Sequence, residues 1–132
     1  MPVDQSLVGR VFPPTRPYAV TEENIGRFAA AIGGTYDGGP APATFPIVLA
    51  FDAMNAFLEA ESLDLFRIVH GDQRFTYERP IVPGDVLTAT LTVASLRQIA
   101  GNDIIGTTSL ITDESGAPVC STGATLVHRG AA

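Results

Sequence analysis

The chain has 132 residues, 45% of them hydrophobic and 17% charged, with a formal net charge of −6. That balance suits one compact domain with a real core and excludes a disordered segment. The eight cationic residues are dispersed, which excludes the clustered basic face that nucleic acid demands.

Residues 1–19 are rich in turn formers, with Pro13, Pro14 and Pro17, and read as an extended lead-in. Thr21 is placed as an N-cap, with Glu22 and Glu23 set favourably against the helix dipole. Ile25, Phe28, Ala29 and Ile32 follow at helical spacing, and Gly33–Gly34 end the helix. Residues 33–43 (GGTYDGGPAPA) hold too much Gly and Pro for regular structure.

Thr44 is expected to open a second helix, with Pro46 in its first turn. Ile47, Val48, Phe51, Met54, Phe57 and Leu58 make this helix apolar around most of its circumference, relieved mainly by Asp52 and Asn55. Such a helix is normally buried.

From residue 66 the period changes to alternation. Strands are expected at 74–78 (RFTYE), 86–96 (VLTATLTVASL), 104–112 (IIGTTSLIT) and 118–128 (PVCSTGATLVH). Leu87, Ala89, Leu91 and Val93 point one way and Thr88, Thr90 and Thr92 the other. Turns fall at 83–85, 100–103 and 113–116. The fold class is α+β: a curved antiparallel sheet wrapped around a long central helix, as one domain over 1–132.

Several segments in chain order resemble one family: VGRVFPPTRPYAVTEENIGRFAAAIG (8–33), APATF (41–45), HGDQRFTYERPIVPGDVL (70–87), AGNDI (100–104) and DESGAPVCSTGATLVHR (113–129). Each is weak alone, and the ordered set covers nearly the whole chain. They resemble the MaoC-like dehydratases, of FAS1-like, N-terminal type. The similarity extends to the non-catalytic subunits of actinobacterial (R)-3-hydroxyacyl-thioester dehydratases.

This resemblance implies the hot-dog fold and a homodimer, or a heterodimer with a catalytic hot-dog subunit. It also implies acyl tunnels beside the long helix, and reversible loss of water from a 3-hydroxyacyl thioester. No separate cofactor is implied, because the substrate is itself carried on coenzyme A or acyl carrier protein.

Catalytic members of the family place an Asp and a His in a G-D-x-N-P-x-H segment after the first helix. The matching residues here run Gly33-Gly34-Thr35-Tyr36-Asp37-Gly38-Gly39-Pro40, with Gly34 where the Asp belongs and a shorter loop beyond. No His occurs before His70. Acid and base groups contribute about 10²–10⁴-fold to such a reaction, so the dyad transfers to no residue of this chain.

Candidates for a substitute are His70, Asp37 and Tyr36. Asp37 reads more readily as turn chemistry. His70, ahead of Gly71-Asp72-Gln73, is open to an acid–base role, a place in the tunnel wall, or a structural role. Substrate binding is expected from Ala43, Thr44 and Phe45, whose N–H groups at the helix start face the thioester carbonyl in the family. Thr44 serving only as a cap is the plain alternative. His70, Gln73 and Arg79 complete the expected substrate set. Arg79 is a possible partner for a coenzyme A or phosphopantetheine phosphate, with ordinary surface Arg as the default.

His128 reads as a solvated strand end and Cys120 as a buried small hydrophobe. One Cys and two distant His give no metal-ligand spacing. The lone Cys120 offers no internal disulfide, and no apolar run reaches the roughly 20 residues of a membrane helix. Neither a membrane nor nucleic acid is an expected partner, and a cytoplasmic location is.

Three functions remain open. The first is a subunit of a hetero-oligomeric dehydratase whose partner supplies Asp and His. The second is a stand-alone homodimeric enzyme of altered chemistry, a cyclase or lyase of specialised biosynthesis. The third is a non-enzymatic acyl-thioester binding module. A thioesterase is less favoured and would have to use Asp52 or Glu59 on the long helix.

Overall fold

The computed structural model describes residues 3–130. After a 3-10 turn at Gln5–Leu7 come a two-residue strand β1 (Tyr18–Ala19) and helix α1 (Glu22–Ala31). Thr21 caps α1, its Oγ1 accepting from the Asn24 N–H at 3.0 Å. Gly33 stops the helix in a left-handed conformation, φ +85°, which costs glycine little. Ile25 and Ala29 are buried, whereas Ile32 lies past the last turn and is 59% exposed. It is thus no part of the inward stripe that its spacing suggested.

Helix α2 (Ile47–Ala60) starts later than expected. Residues 43–46 form a tight turn with i→i−3 bonds: Phe45 N–H donates to Pro42 O (2.9 Å) and Ile47 N–H to Thr44 O (3.1 Å). Pro46 itself occupies the cap position, and the cap has no side-chain hydrogen bond. Thr44 therefore does not cap α2. With no N–H to satisfy, Pro46 fits a position where a donor would be orphaned.

The sheet is antiparallel, in the order β1-β3-β4-β5-β2. The strands are β2 (Ile68–Tyr77), β3 (Val86–Ile99), β4 (Asn102–Thr112) and β5 (Pro118–His128). The alternation on β3 appears as read, with Leu87, Ala89, Leu91 and Val93 buried and Thr88, Thr90 and Thr92 half-buried. Ala100 and Gly101, both at positive φ, make the two-residue β3–β4 turn, which matches the right-handed twist of the strands.

Leu49, Ala53, Phe57 and Leu58 of α2 join the buried strand residues in one core. Burial of each large side chain contributes about 1.5–3 kcal/mol. Phe57 also meets Phe12 edge to face, at 5.1 Å between centroids.

The two sides of the sheet end differently. The lead-in covers the outer side of β3: the N–H groups of Gly9, Phe12 and Thr15 donate to the carbonyls of Val93, Leu91 and Ala89. On the far side β2 is the terminal strand, paired among the described residues only with β5. Helix α2 is half covered. Phe51, Asp52, Asn55, Ala56 and Glu59 are exposed, and Ile47, Val48 and Met54 are partly so. The full burial expected for so apolar a helix is not reached within one chain.

Candidate functional site

At the N-terminal end of α2, Ala43 and Thr44 are exposed and Phe45 is fully buried. The Phe45 N–H is committed to Pro42 O, so that residue is a core anchor and not an available donor. Its ring packs edge to face with Phe28 (5.4 Å) and Tyr18 (6.2 Å). The Ala43 and Thr44 N–H groups make no hydrogen bond among the described residues. Tyr77 closes the turn from the sheet side, its hydroxyl donating to Ala43 O at 2.6 Å. Burial pushes the Tyr77 phenol up to about 12, so it stays a neutral donor at physiological pH. Ala41, Ala43, Tyr77, Glu78, Arg79 and Pro80 line a cleft of about 380 Å³ here.

Further along α2, Phe51 is 42% exposed and its ring lies 5.8 Å from that of His70 on β2. A bulge between His70 and Asp72 takes Gly71 out of register, so His70 faces Leu126 and Gln73 faces Ala124. Those partners are two residues apart on β5, which puts His70, Gln73, Phe75 and Tyr77 on one face of β2. Phe75 and Tyr77 pack against the core, so this is the face beneath α2. His70 is solvent-exposed beside Phe51, and the Gln73 Nε2 is buried without a hydrogen-bond partner among the described residues.

The other expected residues lie elsewhere. Tyr36 and Asp37 sit in the 33–46 connection, where the Tyr36 hydroxyl donates to Gly39 O at 2.6 Å and Asp37 is exposed. Neither is hydrogen-bonded to His70. Arg79 is a clamp. Its Nη1 donates to Pro80 O and Asp85 Oδ2 (3.0 and 2.9 Å), and its Nη2 to Asp85 Oδ1 and Asp113 Oδ2 (3.1 and 3.4 Å). All four terminal N–H groups thus have partners within the chain. Burial opposes the charge on Asp85, yet the guanidinium and the Val82 N–H outweigh it and hold the carboxyl below its ordinary range.

His128 requires the largest correction. It is 5% exposed, with Nδ1 3.5 Å from Oδ2 of the equally buried Asp103. Asp103 accepts hydrogen bonds from Val3 N–H (3.1 Å) and Gln98 Nε2 (3.0 Å), whereas His128 Nδ1 has no hydrogen-bond partner among the described residues. A cleft of about 490 Å³ beside His128 is walled by Glu61, Ser62, Leu63 and Asp64, at the C-terminal end of α2. A helix of 14 residues spans about 20 Å, so this carboxylate–imidazole pair stands far from Ala43 and Thr44.

Cys120 is fully buried, as its small neighbours suggested, and burial raises its thiol pKa. Asp52 and Glu59 are exposed and share a shallow cleft with Arg16 and Tyr18. No group of three metal-ligating side chains occurs among the described residues. No helix among them is long and apolar enough to cross a membrane.

Sequence reasoning overlooked two residues, Tyr77 and Asp103. Tyr77 was legible only as an inward strand residue, since its acceptor lies 34 positions away. Asp103 carried a signal, because it ends the β4–β5 ladder directly opposite His128.

Comparison with known proteins agrees with this architecture. Residues 6–122 match the family model described as FAS1-like, dehydratase domain region. A UPF0336 protein of Clavibacter michiganensis is 41% identical over 98% of both chains. That alignment runs over 146 positions against a chain of 132 residues, so the relative has at least fourteen positions absent here. Among solved structures, a chain of the C-terminally truncated HadBC (3R-hydroxyacyl-ACP dehydratase) complex of Mycobacterium tuberculosis superposes with a TM-score of 0.81. It is 27% identical, over 92% of this chain and 96% of that one. A structure described as a MaoC-like dehydratase gives a TM-score of 0.77 at 27% identity, over 96% of this chain and 43% of the other. With its match to the family model and these relatives, the chain belongs to the MaoC-like dehydratase family and carries that family's hot-dog fold.

Proposed function

We propose that this chain is the acyl-thioester-binding subunit of a 3-hydroxyacyl-thioester dehydratase, working with a hot-dog partner that supplies the Asp and His. The observation that carries this reading is the open half-site along α2. Unused N–H groups of Ala43 and Thr44 stand at one end, and an uncovered Phe51–His70 contact lies beside the terminal strand β2. The similarity to a chain of the HadBC complex supports the same assembly. A second hot-dog unit pairing along β2 would cover Phe51 and close the half-site into a tunnel.

In that arrangement the partner's base removes the C2 proton of the 3-hydroxyacyl thioester. The C3–O bond breaks, and the partner's acid protonates the departing hydroxyl to give water. This chain's part is to hold the thioester oxygen with the Ala43 and Thr44 N–H groups as negative charge develops on it. Tyr77 keeps that turn in place through Ala43 O.

The test is hydration of crotonyl and longer enoyl thioesters by the purified chain, alone and co-purified with a dyad-bearing partner. No turnover alone and turnover with the partner is the expected result. Efficient hydration by the chain alone overturns the reading.

A further inference from the structure

The sheet face turned away from α2 carries, at one end, an apolar strip bounded by unpaired positive charge. Leu96, Ile105 and Leu126 are buried in the core, so their neighbours Arg97, Ile104 and Val127 point outward. Register sets these three and Val69 in one row across β3, β4, β5 and β2. The next row holds Ile99, Asn102 and Arg129, and the Arg129 N–H donates to Arg67 O at 2.8 Å.

Phe66 stands at the corner where the chain enters β2 and is 88% exposed. Its turn is pinned on both sides: its N–H donates to Asp64 Oδ1 (3.0 Å), and its carbonyl accepts from Arg129 Nη2 (3.1 Å). Leu65, Phe66, Val69 and Ile99 are four of the ten large apolar side chains exposed among the described residues. Their gathering at one sheet end makes a patch and not the single scattered residues normal on any surface.

All eight cations of the chain are Arg. Arg10, Arg27, Arg74 and Arg79 are ion-paired, and Arg16 shares a cleft with Asp52 and Glu59. Arg67, at the corner, lines the cleft that holds Asp4, Glu61 and Asp64. Arg97 and Arg129 are exposed and have no carboxylate partner among the described residues. No Asp or Glu lies in either row. In a chain of net charge −6 this is a local reversal of sign, and it complements a partner that brings carboxylates. A lipid surface is the poorer fit, because polybasic recognition takes about four to eight clustered cations.

From Arg97 to Val69 the row crosses three strand spacings, roughly 14 Å, which seats about two and a half turns of a helix. We propose that this end of the outer sheet face docks an acidic amphipathic helix of a protein partner. Its apolar stripe would lie on Phe66, Val69 and Ile99, and its carboxylates on Arg97 and Arg129. A planar guanidinium pairs two-pronged with a carboxylate, which an ammonium does not. The surface is on the opposite side of the sheet from the α2 half-site, so the inference does not rest on the dehydratase reading.

The test is fluorescence anisotropy of a labelled Leu/Glu amphipathic helix, with a Leu/Lys helix of the same pattern and phosphatidylglycerol vesicles as comparisons. The chain should bind the Leu/Glu helix roughly tenfold more tightly than the Leu/Lys helix, and the difference should shrink as salt rises. Phe66→Ser should weaken that binding by roughly 30-fold, and Arg97→Glu by roughly tenfold. Both variants should keep the parent melting temperature, because both side chains are exposed. Arg16→Gln, away from the patch, is the control and should change nothing.

Equal binding of the two helices, no binding of the Leu/Glu helix, or undiminished binding by both variants overturns the proposal. Attachment to the vesicles without attachment to the Leu/Glu helix also overturns it and assigns the patch to lipid. The chain co-purified with a hot-dog partner should bind the Leu/Glu helix as the free chain does. Loss of binding there makes the patch part of the subunit contact, and the proposal is wrong.

Discussion

Arg79→Met separates two roles that a guanidinium near a thioester cleft can fill. Surface ion pairs contribute about 0–1 kcal/mol, whereas removing one member of a buried pair costs about 3–5. The Arg79 side chain is 36% exposed, against 14% for Asp85 and 24% for Asp113. The clamp thus lies between those limits, at roughly 2 kcal/mol after allowance for solvent screening. For a chain of 132 residues that corresponds to a fall in melting temperature of roughly 7 °C. Met keeps most of the apolar stem, so the loss reports the charge and its hydrogen bonds. Urea unfolding at neutral pH and calorimetric titration with an acyl coenzyme A would be run on the same preparation. Lower stability with unchanged affinity is expected. An unaltered unfolding midpoint with collapsed affinity refutes the clamp and returns Arg79 to the phosphate.

Three further outcomes are expected. Phe51→Glu should leave the melting temperature of the isolated chain unchanged, because the side chain is already exposed. It should also weaken association with a hot-dog partner by roughly 30-fold or more, measured by analytical ultracentrifugation. Asp85 and Asp113 both have folded pKa values below the ordinary 3.8. Their contribution is therefore complete above that value and is lost as pH falls through the lower folded ones. Acid titration of stability should accordingly be steeper below pH 4 in the parent than in Arg79→Met. Asp103→Ala orphans the Val3 and Gln98 donors and should cost about 2 kcal/mol, read by urea unfolding. Turnover of the assembled complex should persist, which would separate the Asp103–His128 pair from the chemistry.

The parts of the fold written in local chemistry were legible: the Thr21 cap, the glycine stop at Gly33, the Thr/apolar alternation of β3 and the turn at Asp113–Gly116. The errors came where a residue's partner is distant or its signal ambiguous. Thr44 resembles a cap, yet the turn closes by backbone bonds and Pro46 takes the cap position. The first six residues of β2 hid because the Gly71 bulge breaks the period of two. His128 ends a strand and precedes Arg129, a pattern that usually means solvent. Its burial follows from pairing with Asp103 across the β4–β5 ladder, and the shift between Ile111 and Thr112 displaces that register from a simple count outward from the turn. The Arg79 clamp is likewise invisible in the local sequence, since Asp113 lies 34 residues away. At the site, the family resemblance pointed to residues 43–45 and His70 as candidates. It gave no sign that Phe45 is spent on the core or that Gln73 lacks a partner.

The asymmetry of the two sheet edges gives direction to the incomplete burial of α2. The side of the helix toward β3 carries Asp52, Asn55 and Glu59 beside Arg16 and Tyr18, and there the lead-in already occupies the sheet edge. The side toward β2 carries Phe51 against His70, where no strand follows. Polar residues thus lie where the chain has closed itself, and an exposed aromatic lies where it has not. Burial of Phe51 is favourable by about 25 cal/mol per Å² of apolar surface. A hot-dog unit adding to β2 would gain that burial together with the unpaired backbone groups of the edge, and no comparable gain exists on the β3 side. On the proposed reading this also explains how the family's dyad can be missing here without loss of function. A site closed by two chains along one edge needs its acid and base from only one of them, while the other retains the helix-start donors and the acyl wall.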